Sequence, residues 1–377
     1  MITLSIDSNT NQIPYQLTQL GPAEIHQHVL QARCTASSAG KLHDSPAAAD
    51  PSLPALRFFV ALHHDITEMF HFSKLPEELQ IIAKNELNEV PERTEEDISY
   101  IRKWLLKQPH INARTDDHTI LTYLRGCKFS LEQTKRKLEL YYTIKTAFPS
   151  VFKNRDPLLP KIQFIFKRGV AAVLPQVLNG PLWVLCRFEN LTPEMISPID
   201  FIKLSTIMTD VTLQEYVSST VVGRGVLLDL KNASPRFFTL ITPTNIKQYL
   251  TCHLSAYPLR VKVIHMINVP AVLISALNLL KMLLPKKLSD RFTYDMCDRE
   301  NTVSQYLPLS VLPTEYGGTA GSFPDMCEKF YAQIKSYRDW FIEEEQYGCD
   351  ESKRPATSKV DIDLSSIDGS FRKLHVD

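Results

Sequence analysis

Several features that mark common classes of protein are missing from this sequence of 377 residues. It has no C-x-x-C pair, and its seven cysteines are an odd number spread along the chain. We therefore expect neither a disulfide framework nor a zinc site, and we expect a reducing compartment. The 42 basic residues balance 42 acidic residues, so the overall charge does not favour binding to nucleic acid.

Long apolar runs are also missing. The longest run, residues 269–280, has 12 residues, is interrupted by Pro270, Ser275 and Asn278, and ends at Lys281. A membrane span needs about 20 apolar residues. The N-terminus has neither the basic start nor the apolar core of a secretory signal. These absences predict a soluble protein of the cytosol.

The short motifs that accompany catalysis on many α/β folds are not found. There is no G-x-S-x-G, no G-x-x-x-x-G-K and no G-x-G-x-x-G, and Gly223-Arg224-Gly225 is interpreted as a turn into a strand. Asp229 ends an apolar run where α/β proteins often place functional carboxylates. No nucleophile or second carboxylate accompanies it, so we predict that the protein is not an enzyme.

The histidines give no stronger signal for a chemical site. His63, His64 and His71 cluster in sequence but lack the H-E-x-x-H spacing of a zinc-binding helix. His265 lies inside an apolar run, where a hydrogen-bonded core histidine is the simpler interpretation. We therefore predict no bound metal and no cofactor.

Composition and periodicity divide the chain into five parts. Residues 1–72 contain several prolines and no sustained period, which predicts a mostly disordered extension. Residues 73–150 show helical spacing, and Thr94 followed by Asp97 resembles a capping box at a helix start. The remaining predicted parts are an α/β domain over 151–321, a helix over 322–345 and a polar tail over 346–377.

Short apolar runs alternate with helical stretches in the predicted α/β domain. The predicted strands cover residues 182–186, 225–230, 261–267 and 291–295. The predicted helices between them cover residues 199–218, 243–252 and 272–284. Strands separated by helices imply a largely parallel sheet with crossover helices.

The predicted helix over residues 272–284 is apolar nearly all round. A helix on an ordinary protein surface has a polar face. Two interpretations fit this pattern: a central helix that is buried on all sides, or a lid. Such a lid covers an apolar cavity with its inner face and touches a membrane with its outer face when it opens.

Basic residues concentrate around this helix. Residues 259–291 include six basic side chains and one acidic side chain, Asp290. The six are Arg260, Lys262, Lys281, Lys286, Lys287 and Arg291. They form either a solvated surface or a docking site for an anionic membrane, where each basic residue contributes about 1 kcal/mol.

Five sequence blocks follow one another between residues 74 and 320. They are Asp116-Asp117 with L-T-Y-L-R-G-C-K-F at 121–129, G-V-L-L-D-L at 225–230, Y-P-L-R-V-K at 257–262, I-H-M-I-N-V-P at 264–270 and L-P-T-E-Y-G-G at 312–318. In order and spacing they resemble the CRAL-TRIO lipid-binding proteins. The resemblance is to the branch of alpha-tocopherol transfer protein, cellular retinaldehyde-binding protein and the clavesins, and within it to insect members.

The resemblance implies an α/β CRAL-TRIO fold with a mostly parallel sheet, a hydrophobic pocket and a mobile gate helix. The implied gate side chains are Val272, Leu273, Ala276, Leu277, Leu280 and Leu283. The implied pocket residues are Ile202, Ser205, Thr209, Val261 and Ile264. Ser205 and Thr209 would supply the few polar groups that orient a mostly apolar ligand.

The resemblance also implies binding to phosphatidylinositol bisphosphate. The matching basic positions are Arg260, Lys262, Lys287 and Arg291. The sequence departs from the family at Cys127, where the family motif has an arginine. The implied protein is a monomeric carrier of tocopherol, a retinoid or a related lipid, which touches endosomal or plasma membranes transiently and binds no nucleic acid.

Two other interpretations of the sequence are considered. One is a trafficking or signalling adaptor that phosphoinositides recruit and that transports no cargo. The other is an α/β hydrolase, which would need a nucleophile that the sequence does not offer. The pattern does not identify the cargo, because pocket shape decides between hydrophobic ligands.

Overall fold

A computed structural model describes residues 75–355, except for 178, 190, 285 and 297–301, and omits the side chains of 276, 279, 283 and 302. The predictions for the extension over residues 1–72 and for His63, His64 and His71 therefore lie outside the described residues. The same holds for the part of the predicted tail beyond residue 355.

The first part of the described chain is a helical module. Its helices are α1 (Glu77–Leu87), α2 (Pro91–Leu106), α3 (Asp117–Gly126) and α4 (Leu131–Ala147), followed by the short helices α5 (Pro149–Phe152) and α6 (Pro160–Phe166). Its core is a cluster of apolar side chains that includes Ile101, Leu124, Leu138 and Tyr142, each almost fully buried. Burial of this apolar surface stabilises the module.

Helix α2 begins one turn earlier than the sequence predicted. Pro91 occupies its first position, where the missing N–H leaves no hydrogen bond unmade. Thr94 lies inside the first turn, and its hydroxyl donates a hydrogen bond of 3.0 Å to the carbonyl of Val90. The prediction that Thr94 caps the helix was therefore wrong.

The second part of the described chain contains a five-stranded sheet in the order β2-β3-β4-β5-β6. Its strands are β2 (Ala171–Val173), β3 (Leu182–Arg187), β4 (Arg224–Asp229), β5 (Val261–Val269) and β6 (Phe292–Met296). Strands β3 to β6 pair in parallel, and β2 pairs antiparallel with β3. The predicted parallel sheet is confirmed, and β2 is an additional edge strand.

Helices connect the parallel strands, as crossover connections require. Before β4 the chain forms α7 (Pro198–Glu215) and α8 (Val217–Val222). Before β5 it forms α9 (Pro235–Thr239), α10 (Pro243–Leu250) and a π-helix (Thr251–Ala256). Before β6 it forms a 3-10 turn (Ala271–Leu273), α11 (Ile274–Leu283) and α12 (Lys286–Ser289). A capping box between Ser197 and Asp200 fixes the start of α7.

The C-terminal part of the described chain returns to the helical module. Helices α13 (Phe323–Ser336) and α14 (Arg338–Glu344) lead to strand β7 (Gly348–Cys349), which pairs antiparallel with β1 (Ile111–Asn112). Residues 348–349 belong to the predicted polar tail, but they are part of the fold. Strand pairing between residues more than 230 positions apart leaves no local sequence pattern.

Candidate functional site

The two faces of the sheet are covered by different parts of the chain. On one face, Leu185, Leu227 and Ile267 pack against the segment from Val303 to Cys327 and are almost fully buried. On the other face, Val184 and Cys186 pack against α7, together with residues such as Leu204, Ile207 and Met208 of that helix. The second face carries the candidate site.

Side chains at the middle of this second face are not fully covered. Val226 and Leu228 lie on the central strand β4, with strands on both sides, yet they are only half-buried. Their partners in register on β5, Ile264 and Met266, are half-buried as well, as is Tyr294 on β6. We interpret this partial exposure as an apolar cleft that runs over these side chains.

Helix α11, which was predicted as the gate, lies over this cleft. Ile274 and Leu277 pack against the apolar cluster between the sheet and α7, and Leu280 packs against the cluster beside β6. The exposed side is mixed, because Met282 of α11 is 82 % exposed and Val272, in the turn before α11, is 71 % exposed, while the polar residues Ser275 and Asn278 are exposed as well. Among the described side chains, this pattern fits a lid at the surface and not a central buried helix.

Two hydrogen bonds hold the lid against the edge strand of the sheet. The hydroxyl of Tyr294 donates to Oδ1 of Asn278 at 2.9 Å. The ammonium of Lys281 donates to the carbonyl of Phe292 at 3.1 Å. Both bonds join α11 to β6, so they must break if α11 moves away from the sheet.

No helix in the described ranges has the length and apolar character needed to cross a bilayer.

The remaining gate residues are placed as follows. Leu273 is buried against the cluster between the sheet and α7. The side chains of Ala276 and Leu283 are outside the described part of the structure, so their predicted role stays a prediction.

The predicted pocket residues do not all lie together. Ile264 lines the cleft, and Val261 is buried beside it in the cluster that contains Leu288 of α12. Ile202 is buried in the core of the helical module, with Leu138 among its cluster members. Ile202 thus belongs to a different apolar cluster from Val261 and Ile264, and its role in the pocket stays a prediction.

Ser205 and Thr209 belong to a buried polar cluster at one end of this face. Oγ of Ser205 lies 2.7 Å from Nε2 of His253, and Nδ1 of His253 lies 3.1 Å from the carbonyl of Tyr249. Because a carbonyl only accepts, Nδ1 carries the proton and Nε2 accepts from the Ser205 hydroxyl. Burial lowers the pKa of His253 to about 4, so the ring is neutral at pH 7. Thr209 accepts a hydrogen bond of 3.0 Å from Nη1 of Arg224.

A small space lies between β3 and α7. Its volume is about 20 Å³, and it is lined mainly by apolar side chains, among them Cys186, Phe188, Phe201 and Met208. Ligand pockets for small molecules usually measure about 300–1,000 Å³. This space is therefore too small to hold a lipid as it stands.

The predicted phosphoinositide-binding residues are grouped near the start of β5 and around α12. Arg260 donates to a carboxylate oxygen of Glu86 at 2.7 Å, and Lys262 donates to the same oxygen at 3.0 Å. Arg291 donates to the carbonyl of Val261, and Lys287 is exposed on α12. Arg260, Lys262 and Arg291 are thus brought together, and the first two already bind the carboxylate of Glu86.

Glu86, on α1, is a residue that the sequence analysis missed. Hydrogen bonds from Lys262 and Arg260 lower the pKa of the Glu86 carboxyl, against a smaller opposing effect of burial. The carboxylate occupies a position where a phosphate group could contact the same two cations. No sequence signal links residues 86 and 260, because the contact depends on how the helical module packs.

Asp229 has a structural role. Its carboxylate accepts hydrogen bonds from the Tyr316 hydroxyl at 2.6 Å, from Nδ2 of Asn268 at 2.7 Å and from the backbone N–H of Lys231 at 2.9 Å. These bonds tie the end of β4 to β5 and to the loop that contains Tyr316. The carboxylate is thereby committed to binding the protein's own groups.

Comparison with known proteins agrees with the fold. The family model described as "CRAL/TRIO domain" matches residues 177–318, and the one described as "Pinta-like, UBA domain" matches residues 90–162. The human "Alpha-tocopherol transfer protein-like" is 29% identical over 252 residues, which is 66% of this chain and 72% of that protein. "Clavesin-1" of Xenopus laevis is 25% identical over 236 residues, or 62% and 70% of the two chains.

A solved structure titled "Crystal structure of Sfh5" also matches. It is 14% identical, has a TM-score of 0.43, and covers 71% of this chain and 99% of its own.

Proposed function

The chain belongs to the CRAL-TRIO family of lipid-binding proteins, and from this premise we propose that it carries a hydrophobic small molecule between membranes. The cargo would be tocopherol, a retinoid or a related lipid, held in the cleft between the sheet and α11. The observation that supports this most directly is the half-buried state of Val226 and Leu228 in the central strand of the sheet.

A carrier is needed because a lipid hardly leaves a bilayer without help. Burying one methylene group gains about 0.8 kcal/mol, so a chain of ten holds a lipid in its membrane by about 8 kcal/mol. A closed apolar cleft offers the lipid an equivalent environment in water. Because family members of this kind are lipid-transfer proteins, the function requires no catalytic group.

The outer face of α11 is suited to contact with a membrane. Met282 of α11 and Val272 in the turn before α11 expose apolar side chains, and Lys286 and Lys287 are exposed on α12. Apolar side chains that insert between lipids, flanked by cations, give reversible binding to an anionic surface. Insertion would pull α11 away from β6 and open the cleft where the lipid must leave.

Phosphatidylinositol bisphosphate would direct this docking. Arg260, Lys262, Lys287 and Arg291 would bind its phosphates, and Glu86 would have to release the first two. The protein would then reside in the cytosol as a monomer and contact endosomal or plasma membranes transiently.

The test is to purify the protein, extract it and identify bound lipids by mass spectrometry. We expect one hydrophobic species near one equivalent. Leu280→Asp should slow transfer of that lipid between vesicles, because a carboxylate on the inner face of α11 disfavours the closed lid. Leu106→Asp is a matched control, since Leu106 is 73 % exposed on the helical module.

Two results would contradict the carrier function. Extraction without any stoichiometric hydrophobic species, combined with normal vesicle binding, would favour the adaptor without cargo. A normal transfer rate for Leu280→Asp would show that α11 does not act as a gate.

A further inference from the structure

One strong cation lies on the cleft-facing side of the sheet. Arg224 is the first residue of β4, and alternation along the strand places it on the same face as Val226 and Leu228. Its contacts with α7 confirm this orientation, because its guanidinium donates to the hydroxyls of Thr209 and Thr212. The residue is only 6 % exposed.

Arg224 differs from the other buried cations of the described chain in its partners. Arg125 is paired with Glu89 at 2.8 Å, Lys145 is paired with Glu344 at 2.6 Å, and Arg155 is paired with Asp210. No carboxylate of a described residue forms an ion pair with Arg224, and its Nε has no hydrogen-bond partner.

The charge of Asp210 acts on Arg224, but that carboxylate is already paired with Arg155, and the other groups around Arg224 do not supply a negative charge. Thr209 and Thr212 are neutral hydroxyls, and His253 is neutral because burial lowers its pKa to about 4. Burial also raises the pKa of Cys186 to about 12, although the positive charge of Arg224 opposes that rise, so this thiol stays protonated. Burial lowers the pKa of Arg224 to about 10, so the guanidinium stays charged at pH 7.

The same guanidinium is close to the lining of the cleft. It is near enough to Cys186 to affect the pKa of that thiol, and Cys186 is opposite Leu228 in the strand register. Cys186 also lines the small space between β3 and α7. A ligand whose chain lies over Leu228 and Met266 could therefore place its head group at the guanidinium.

We propose that Arg224 is the anchor for a carboxylate on the cargo, so that this carrier selects a lipid with a negatively charged head group over a neutral one. The proposal rests on the proposed carrier function and narrows its substrate class. A buried charge is stable only if it is paired and hydrogen-bonded, and here the missing partner belongs to the ligand.

A carboxylate fits the site better than a phosphate. A carboxylate carries one negative charge, which matches the single uncompensated positive charge. Its two oxygens can accept from two N–H groups of one guanidinium, which is the strongest arrangement for this pair. Thr209 can turn its hydroxyl to donate to the same oxygens, because a hydroxyl both donates and accepts, whereas Thr212 already donates to the carbonyl of Met208 at 2.8 Å.

The experiment compares fluorescent polyene lipids that differ only in head group: cis-parinaric acid, the corresponding alcohol and the corresponding monoalkyl phosphate. Their affinities are measured by titration into delipidated full-length protein. We expect the acid to bind about tenfold more tightly than the alcohol, which is the usual gain for a hydrogen bond to a charged group. We also expect the acid to bind more tightly than the phosphate.

Two substitutions and one control isolate the role of Arg224. Arg224→Leu should bind the acid and the alcohol equally, with the alcohol affinity unchanged or improved, and Arg224→Lys should keep part of the preference. Lys203→Gln removes one positive charge from α7 at a distance from the cleft, where Lys203 bonds the carbonyl of Lys153, and it should keep the full preference. Circular dichroism and thermal melting of each variant establish that it is folded.

The outcomes separate this inference from the carrier function. Equal binding of acid and alcohol by the native protein, or an acid preference that survives in Arg224→Leu, would overturn the anchor while leaving the carrier intact. Tighter binding of the phosphate than of the acid would overturn the assignment of a carboxylate. Failure of the native protein to bind all three lipids would overturn both proposals.

Discussion

The two faces of the central sheet use the same strands in different ways. On the face covered by residues 303–327, Leu227 and Ile267 are almost completely buried, whereas on the face covered by α11 their neighbours Leu228 and Met266 are half-buried. The first face has the packing of a permanent core, and the second has space that a ligand could occupy. Adjacent residues of one strand therefore contribute to stability and to binding separately.

Replacing one leucine on each face tests this difference most strongly. Leu227→Ala should lower the free energy of unfolding by about 3 kcal/mol, because it leaves a cavity in a packed core. Leu228→Ala should lower it by only about 1 kcal/mol, since the side chain already borders open space. Equilibrium denaturation of both variants in the delipidated protein measures these values.

The binding measurement should rank the same two variants in the opposite order. Leu228→Ala should weaken lipid binding more than Leu227→Ala, because only Leu228 lines the cleft. Equal losses of stability from the two substitutions would show that both faces are sealed cores, and the cleft would lose its main support.

Two buried histidines extend the comparison to pH. His265, on the sealed side, is 3.2 Å from Asp295, and that carboxylate partly offsets the lowering of its pKa by burial. His253, next to Ser205, has no such offset, and its pKa falls from 6.5 to about 4. Because the unfolded state takes up a proton first, stability should fall as the pH drops from about 6.5 to about 4. The loss amounts to about 3 kcal/mol at most.

The variant His253→Gln should remove this part of the acid sensitivity. Chemical denaturation at pH 7.5 and pH 4.5 would show a smaller difference in the variant than in the native protein. His265→Gln should change the difference less, because the carboxylate beside His265 favours its protonation. The same pH dependence in His253→Gln and in the native protein would contradict the assigned neutral state.

Vesicle binding tests the basic residues beside the face of the sheet that α11 covers. Lys287→Ala together with Arg291→Ala should weaken binding to vesicles that contain phosphatidylinositol bisphosphate by about 2 kcal/mol, or roughly thirtyfold. Retention of bound lipid should not change, because neither side chain lines the cleft. Lys103→Ala with Lys107→Ala removes two exposed charges at the C-terminal end of α2, Lys107 being the residue that follows the helix, and is the matched control.

Vesicle binding that is unchanged in the Lys287 and Arg291 double variant would remove both residues from the docking site. An equal loss in the control pair would mean that total charge, and not this location, drives binding.

Much of the fold could be predicted from the sequence, because the relevant signals are local. The apolar runs at 182–186, 225–230 and 261–267 predicted strands whose ends differ by at most two residues from those of β3, β4 and β5. Strand β2 has only three residues, too few to show alternation. Strands β1 and β7 are shorter still and are defined only by their pairing across the chain.

The candidate site was only partly predictable, because some of its contacts depend on long-range packing and leave no local signal in the sequence. The lid was visible as an apolar helix, and the basic positions were visible as a local excess of charge. Arg224 stood between two glycines and was interpreted as part of a turn before the apolar run at 225–230, and its lack of a carboxylate partner depends on how α7 packs against β4. Glu86 meets Arg260 only because α1 lies beside the start of β5, and the residues between them in sequence carry no sign of that contact.

The last prediction concerns Glu86 and has the smallest expected effect. If Glu86 competes with a phosphate for Arg260 and Lys262, then Glu86→Gln should strengthen binding to phosphoinositide vesicles by about fivefold or less, the range of a partly exposed ion pair. Glu78→Gln, on the exposed first turn of the same helix, should leave binding unchanged. Weaker binding by Glu86→Gln would mean that the carboxylate positions the two cations for the lipid. In that case Glu86 on α1 preorganises Arg260 and Lys262 for the lipid, whereas stronger binding would mean that Glu86 restrains these two cations.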